Sequence, residues 1–168
     1  MADAGIFAPD ERVELIEGEI INMPPIGPDH SGIVNQLNRT LVSAAGDRAI
    51  VSVQNPVVLP EHSEPEPDFA LLRPRADWYR KAKPLPEDVL LLVEVADSTL
   101  RYDTEIKRPL YAAHGVPEYW IVDVKGERLT RFTGPSRAGY GHAETVEDLH
   151  ALEPVALPGV RFDLSGLF

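Results

Sequence analysis

The sequence predicts an α/β fold, a mixed central sheet covered by helices. Three observations carry that prediction. Val89 to Ala96 is apolar at every position except Glu94, as a central strand covered on both faces would be. His30 to Ala45 carries apolar residues at 33, 34, 37, 41, 44 and 45, which is helical spacing. Short apolar runs, separated by proline, glycine and charge, alternate with a second helical stretch along the remaining chain.

Val13 to Ile21 reads as two short strands about a Glu17-Gly18 turn, an N-terminal β-hairpin in which Gly18 supplies positive φ. Pro24 to Pro28 breaks the pattern; Asp29 is placed to cap the first helix and Gly46 to end it. Ala49 to Val53 and Val57 to Leu59 read as strands, Glu61 to Pro67 as an acidic turn, and Phe69 to Leu72 as another strand. Arg73 to Pro86 is a polar excursion in which Arg73, Arg75, Arg80, Lys81 and Lys83 surround Trp78 and Tyr79. After the Val89 strand, Asp103 to His114 fits a helix closed by Gly115-Val116-Pro117. Glu118 to Val124 and Arg128 to Thr133 are strands joined at Lys125-Gly126; past Gly134 only short apolar pieces remain.

The 168 residues fit one domain, 1–168, at roughly 100–200 residues per domain. With 43% hydrophobic and 26% charged residues the chain has globular composition, which sets aside disorder and fibres. The absence of cysteine removes disulfides, zinc-thiolate sites, iron–sulfur clusters and cysteine nucleophiles. No apolar run reaches the ~20 residues of a membrane span. Met1-Ala2-Asp3-Ala4-Gly5 lacks the basic start and apolar core of a secretory signal, so a cytoplasmic domain is expected. Sixteen basic against 27 acidic residues give a net charge of −11, which argues against a protein that coats DNA non-specifically.

Glu94 stands out on energetic grounds. A carboxylate inside the most apolar strand must be paired, protonated or metal-bound, because burying it alone costs several kcal/mol. It falls on the same face as Leu90 and Leu92 by alternation. Asp68 follows Pro67 directly before the Phe69 strand. Two carboxylates on adjoining strands suit a magnesium ion, which takes one or two of them plus waters and phosphate oxygens. Asp103, Lys107, Tyr111 and His114 share one helix face, where Lys107 is placed to hold a phosphate or orient water. The competing reading of Lys107 is an Asp103–Lys107 pair on a solvated face. His30, at the start of the first helix, Gln54 and Tyr111 are further candidates; capping or ordinary polar contacts would account for His30 and Gln54 equally well. Glu14 and Glu19 alternate with Leu15, Ile16, Ile20 and Ile21 as a solvated strand edge does. The five histidines lack HxxxH or HxH spacing, and there is no GxGxxG, GxxxxGK or GxSxG pattern.

These residues together resemble the Uma-two family of restriction-endonuclease-like proteins, within the PD-(D/E)XK nuclease superfamily. The resemblance rests on Glu94-Val95-Ala96-Asp97-Ser98-Thr99, on Asp103, Lys107 and Tyr111, and on Gly115 to Asp123. It extends to Val13 to Glu19, His30, Gln54-Asn55-Pro56 and Pro67-Asp68, and covers about residues 12–133. It implies a restriction-endonuclease-like fold, a four-stranded mixed core flanked by helices with an acidic site at one end of the sheet. Asp68 and Glu94 match the family's divalent-metal ligands, for Mg2+ with Mn2+ as a substitute. The superfamily lysine is expected two residues after the glutamate, where this chain has Ala96; its role passes to Lys107.

The implied activity is metal-dependent hydrolysis of DNA phosphodiester bonds, with RNA or branched DNA as other substrates and a homodimer as the expected assembly. The net charge is the objection, answered by a local basic patch, a groove built by dimerisation or a partner protein. The alternative, prompted by Ala96, is an inactive nucleic-acid- or protein-binding module on a nuclease fold.

Overall fold

The structure is a computed structural model that describes residues 12–168; the reading of Met1 to Gly5 lies outside the described residues. Strands β1 (Val13–Ile16) and β2 (Glu19–Asn22) pair as an antiparallel hairpin. Glu17 and Gly18 both have positive φ, 49° and 86°, which two-residue hairpin turns of matching twist require.

Helix α1 (Pro28–Ala45) starts at Gly27, with Pro28 in its first turn. Proline fixes φ at a helical value and lacks an N–H that would be orphaned there, so the helix begins earlier than the spacing predicts. Asp29 is therefore not the cap: it sits inside the first turn, where its charge complements the helix dipole. Gly46 ends the helix at φ 51°, its N–H donating to the Val42 carbonyl.

The main sheet has six strands in the order β3-β4-β5-β6-β7-β8, two more than the resemblance implies. They are β3 (Ile50–Val53), β4 (Phe69–Leu72), β5 (Val89–Ala96), β6 (Glu118–Asp123), β7 (Arg128–Ser136) and β8 (Gly139–Thr145). Only β5 and β6 run parallel, and a helical crossover joins them as parallel pairing demands. That crossover is α2 (Leu100–Tyr102), a π-helical turn (Asp103–Lys107) and α3 (Arg108–Ala113). In the π turn Arg108 N–H reaches the Asp103 carbonyl, five residues back. Pro109 has no N–H to offer and crowds the carbonyl four residues before it, which favours the wider turn.

Two strand assignments differ from the sequence reading. Val57 to Leu59 is not a strand; Val57 and Leu59 are buried, but their N–H groups go to Pro65 and Ser63 carbonyls in local turns. Strand β8 was not expected, because it is exposed along most of its length and carries no apolar alternation. It pairs antiparallel with β7 through Thr130↔Thr145 to Ser136↔Gly139, as an edge strand whose stability comes from the ladder.

The sheet buries a core on each face. Leu37 and Leu41 of α1 cover Phe69, Leu71, Leu91, Val93, Trp120 and Val122. Leu110 and Tyr111 of α3 cover Ala70, Leu92, Tyr119, Ile121 and Phe132. Leu152, Leu157, Val160, Phe162, Leu164 and Leu167 of the C-terminal segment complete the α1 side, each stabilising by about 1.5–3 kcal/mol for a fully buried side chain. Glu118 ties this segment down: fully buried, it accepts hydrogen bonds from Trp120 Nε1 (2.7 Å) and the Val155 N–H (2.6 Å) and pairs with Arg131.

Leu90 departs from simple alternation. The register runs Leu71↔Leu91 but Leu72↔Val89, so Leu90 is the extra residue of a bulge. It packs on the α1 side, whereas Leu92 and Ala96 face α3. Glu94 therefore shares its side with Leu92 but not with Leu90.

Candidate active site

The sheet register assembles the site. Val53↔Phe69 and Phe69↔Val93 are paired, which sets Gln54, Asp68 and Glu94 in a row across the ends of β3, β4 and β5. Gln54 leaves β3 at φ 50°, a left-handed turn uncommon outside glycine, and its Nε2 donates to Asp68 Oδ1 (3.1 Å). Asp68 Oδ2 accepts from the Val95 N–H at 2.8 Å and lies 3.1 Å from Nε2 of His30, at the start of α1. The Asp68 backbone N–H in turn donates to Glu94 Oε2 (3.3 Å), tying the start of β4 to the Glu94 carboxylate.

Glu94 Oε1 faces the crossover helix. It accepts from Lys107 Nζ (2.9 Å) and from the Tyr111 hydroxyl (3.0 Å). Lys107 is 3% exposed, so the solvated-face reading does not hold, and no Asp103–Lys107 ion pair forms within 4 Å among the described residues. The second partner of Lys107 is Glu14, whose Oε2 lies 3.1 Å from Nζ and also accepts the Glu66 N–H. Glu14 is thus not on a solvated edge: it is 4% exposed, while Glu19 is exposed as expected. His114 turns away, its ring held by the Leu110 and Pro60 carbonyls.

All the candidates from the sequence except His114 therefore meet at one end of the sheet. Asp68 and Gln54 come from strand ends, His30 from the helix on one face, and Lys107 and Tyr111 from the helix on the other. Glu14 was missed because alternation in β1 shows which side it takes but not that the crossover helix covers that side.

The electrostatics separate the two central carboxylates. Burial pushes Asp68 up, but hydrogen bonds from His30, Val95 and Gln54, together with the His30 charge, outweigh it and hold the carboxyl below its usual range. Burial raises Glu94 well above the usual range; Asp103 and Asp68 add to this while Lys107 opposes it. Asp103 is pushed up to about 6 by burial, against the pull of Lys107 and a 2.6 Å hydrogen bond from the Thr99 hydroxyl. Burial disfavours the Lys107 ammonium, yet Glu94, Glu14 and Asp103 overcome it and raise its pKa.

These groups border a cavity of about 250 Å³. Its floor holds Glu14, Asp68, Glu94, Asp103 and Lys107, and one wall is Met23 to Gly27, the connection from β2 to α1. The buried Nδ1 of His30, a residue that borders it, has no hydrogen-bond partner among the described residues. The donor set fits a small hard cation: Asp68 and Glu94 offer oxygen only, and waters or phosphate oxygens would complete an octahedron. Among the described residues no cluster of three or more His, Cys, Asp or Glu is placed to hold a metal ion.

The basic excursion is elsewhere. It joins the C-terminal end of β4 to the N-terminal end of β5, both away from the site, whereas Asp68 precedes β4 and Glu94 lies near the C-terminal end of β5. At about 3.3 Å per residue, the strands put roughly 13–17 Å between the two ends. Within it Arg75 stacks on Tyr79 at 3.7 Å and pairs with Asp77, while Trp78 is 70% exposed. No helix among the described residues is long and apolar enough to cross a membrane.

Comparison with known proteins agrees with this architecture. The Uma2 family model, described as "Putative restriction endonuclease", matches residues 3–165, well past the 12–133 that carry the sequence resemblance. No curated protein matches. Among solved structures, "a putative nuclease belonging to DUF820" from Anabaena variabilis has the same fold, with a TM-score of 0.71 at 17% identity over 99% of this chain and 94% of that one. The family match spans nearly the whole sequence, C-terminal segment included: the chain belongs to the Uma2 family.

Proposed function

We propose that this protein is a metal-dependent endonuclease that hydrolyses DNA phosphodiester bonds at the Asp68–Glu94 end of the sheet. The observation that carries the reading is the convergence of Asp68, Glu94 and Lys107 on one cavity, from strand ends and a helix separate in sequence. A divalent cation held by Asp68 and Glu94, Mg2+ or Mn2+, would supply Lewis-acid polarisation of the phosphate and a lowered pKa for bound water.

The remaining chemistry belongs to the chain. Water adds its oxygen to phosphorus, the bond to the leaving sugar oxygen breaks, and that oxygen takes up a proton. Lys107, kept cationic by Glu94 and Glu14, supports the charge that develops on the phosphate oxygens. Its place in the helix after the strand offsets the lack of a lysine at Ala96. Tyr111 and Lys107 hold Glu94 Oε1, leaving Oε2 as the oxygen nearest Asp68. His30 and Gln54 fix the Asp68 carboxylate by its two oxygens.

The test is nicking of supercoiled plasmid by purified protein in magnesium, manganese or chelator, with Glu94→Gln alongside. Metal-dependent nicking lost in the variant supports the reading. Absence of nicking together with absence of metal binding favours the binding-module alternative.

A further inference from the structure

We infer that the site takes an unpaired nucleic-acid strand in preference to an intact duplex, an inference that rests on the phosphodiester-hydrolysis reading above. The first ground is enclosure. Glu14, Asp68, Glu94 and Lys107 are 4%, 8%, 4% and 3% exposed, so a scissile phosphate must enter the cavity to meet them. At about 250 Å³ that cavity falls short of the ~300–1,000 Å³ usual for ligand pockets. A strand free to rotate one phosphodiester into the cavity meets that requirement directly, whereas a paired and stacked duplex must first be distorted.

The second ground is charge. A duplex is gripped by several Lys and Arg contacts to phosphates on both strands. Here the basic side chains bordering the cavity are Arg12, His30 and Lys107, against Glu14, Asp68, Glu94, Asp97 and Asp103. Lys107 is already engaged by two carboxylates. The basic excursion with Trp78 leaves from the opposite end of the strands, and two of its cations are already paired, Arg75 with Asp77 and Lys83 with Glu64.

The third ground is the wall. Met23, Pro24, Pro25 and Ile26, with two stiff proline rings, contribute apolar surface to the cavity lining. Sugar and base faces stack on such surfaces without base-pair readout. An unpaired strand can rotate one phosphodiester inward past this wall. A duplex must first unstack or unpair, at a few kcal/mol.

The experiment uses the full chain and oligonucleotides of one sequence presented as single strand, blunt duplex and duplex with a single-stranded flap, in DNA and in RNA. Cleavage is followed in magnesium and manganese, and binding by fluorescence anisotropy in calcium. The expected result is cleavage confined to unpaired segments, at least about tenfold faster than in the duplex interior, with binding tighter by a similar factor. A preference for DNA or RNA strands leaves this standing so long as unpaired exceeds paired. Equal cleavage and binding of the blunt duplex would overturn the inference while leaving the nuclease reading in place. Failure to cleave any substrate in either metal would instead overturn the nuclease reading, and this inference with it.

Discussion

Glu14 and Lys107 form an ion pair, 3.1 Å between Oε2 and Nζ, in which both side chains are almost fully removed from water. The pair ties the N-terminal hairpin to the crossover helix beneath the cavity. Lys107 keeps Glu94 if Glu14 is lost, so the cost stays below the 3–5 kcal/mol of an orphaned buried charge. Glu14→Ala is expected to destabilise by about 1–3 kcal/mol, since it also leaves the Glu66 N–H without its acceptor. An unchanged urea midpoint would contradict the pairing.

Removing the cation should hurt more, and in a pH-dependent way. In Lys107→Met, Glu94 loses the ammonium that pulls its carboxyl down, while burial and the neighbouring carboxylates continue to push it up. A raised carboxyl gives stability that is full at low pH and lost as pH rises through the folded value. The variant is expected to lose about 3–5 kcal/mol at neutral pH and to recover part of that toward pH ~4. A deficit equal at both pH values, measured by thermal unfolding, would count against this network.

Asp103 allows a cleaner test of the same sign. Its carboxyl stands at about 6 against an ordinary 3.8, so its contribution is present below about pH 4 and lost as pH climbs through 6. Asparagine keeps an acceptor for the Thr99 hydroxyl and never ionises. Asp103→Asn should match the parent near pH 4 and exceed it by about 3 kcal/mol above pH 7. A stability difference that stays flat from acid to neutral pH would contradict the assignment.

The C-terminal segment depends on Glu118. Glu118→Ala strands the Trp120 indole N–H and the Val155 N–H and takes from Arg131 its nearest carboxylate, leaving it Glu144 and the Glu153 carbonyl. A loss of about 3 kcal/mol or more is expected, with faster hydrogen exchange at Leu152 to Leu167. Exchange rates unchanged there would mean the segment is held by its apolar contacts alone.

The part of the site that could be read from sequence was the part whose signal is local. Glu94 was visible because a carboxylate inside an apolar strand demands an explanation, and Asp68 because Pro67 marks the start of β4. Lys107 was visible as a helix-face residue, but its role came from family resemblance. Glu14 was hidden, since a charge alternating with leucine and isoleucine looks the same under water or under a helix. The two-sided core of β5 was legible, the Leu90 bulge was not, because the register shift is a property of two strands together. Edge strand β8 carries too few apolar residues to show alternation, and the C-terminal segment gains its place through contacts distant in sequence, with Glu118, Trp120 and the α1 side of the core.

The most direct test of the central claim is divalent-metal binding to the parent, Asp68→Asn and Glu94→Gln, followed by thermal unfolding and calorimetry with Mg2+ and Mn2+. Ligand at a hundred times its dissociation constant stabilises the folded state by about 2.7 kcal/mol. The account predicts a rise in Tm and a binding heat in the parent, both lost in each variant. No rise in the parent, or the same rise in all three proteins, would contradict a metal site at Asp68 and Glu94.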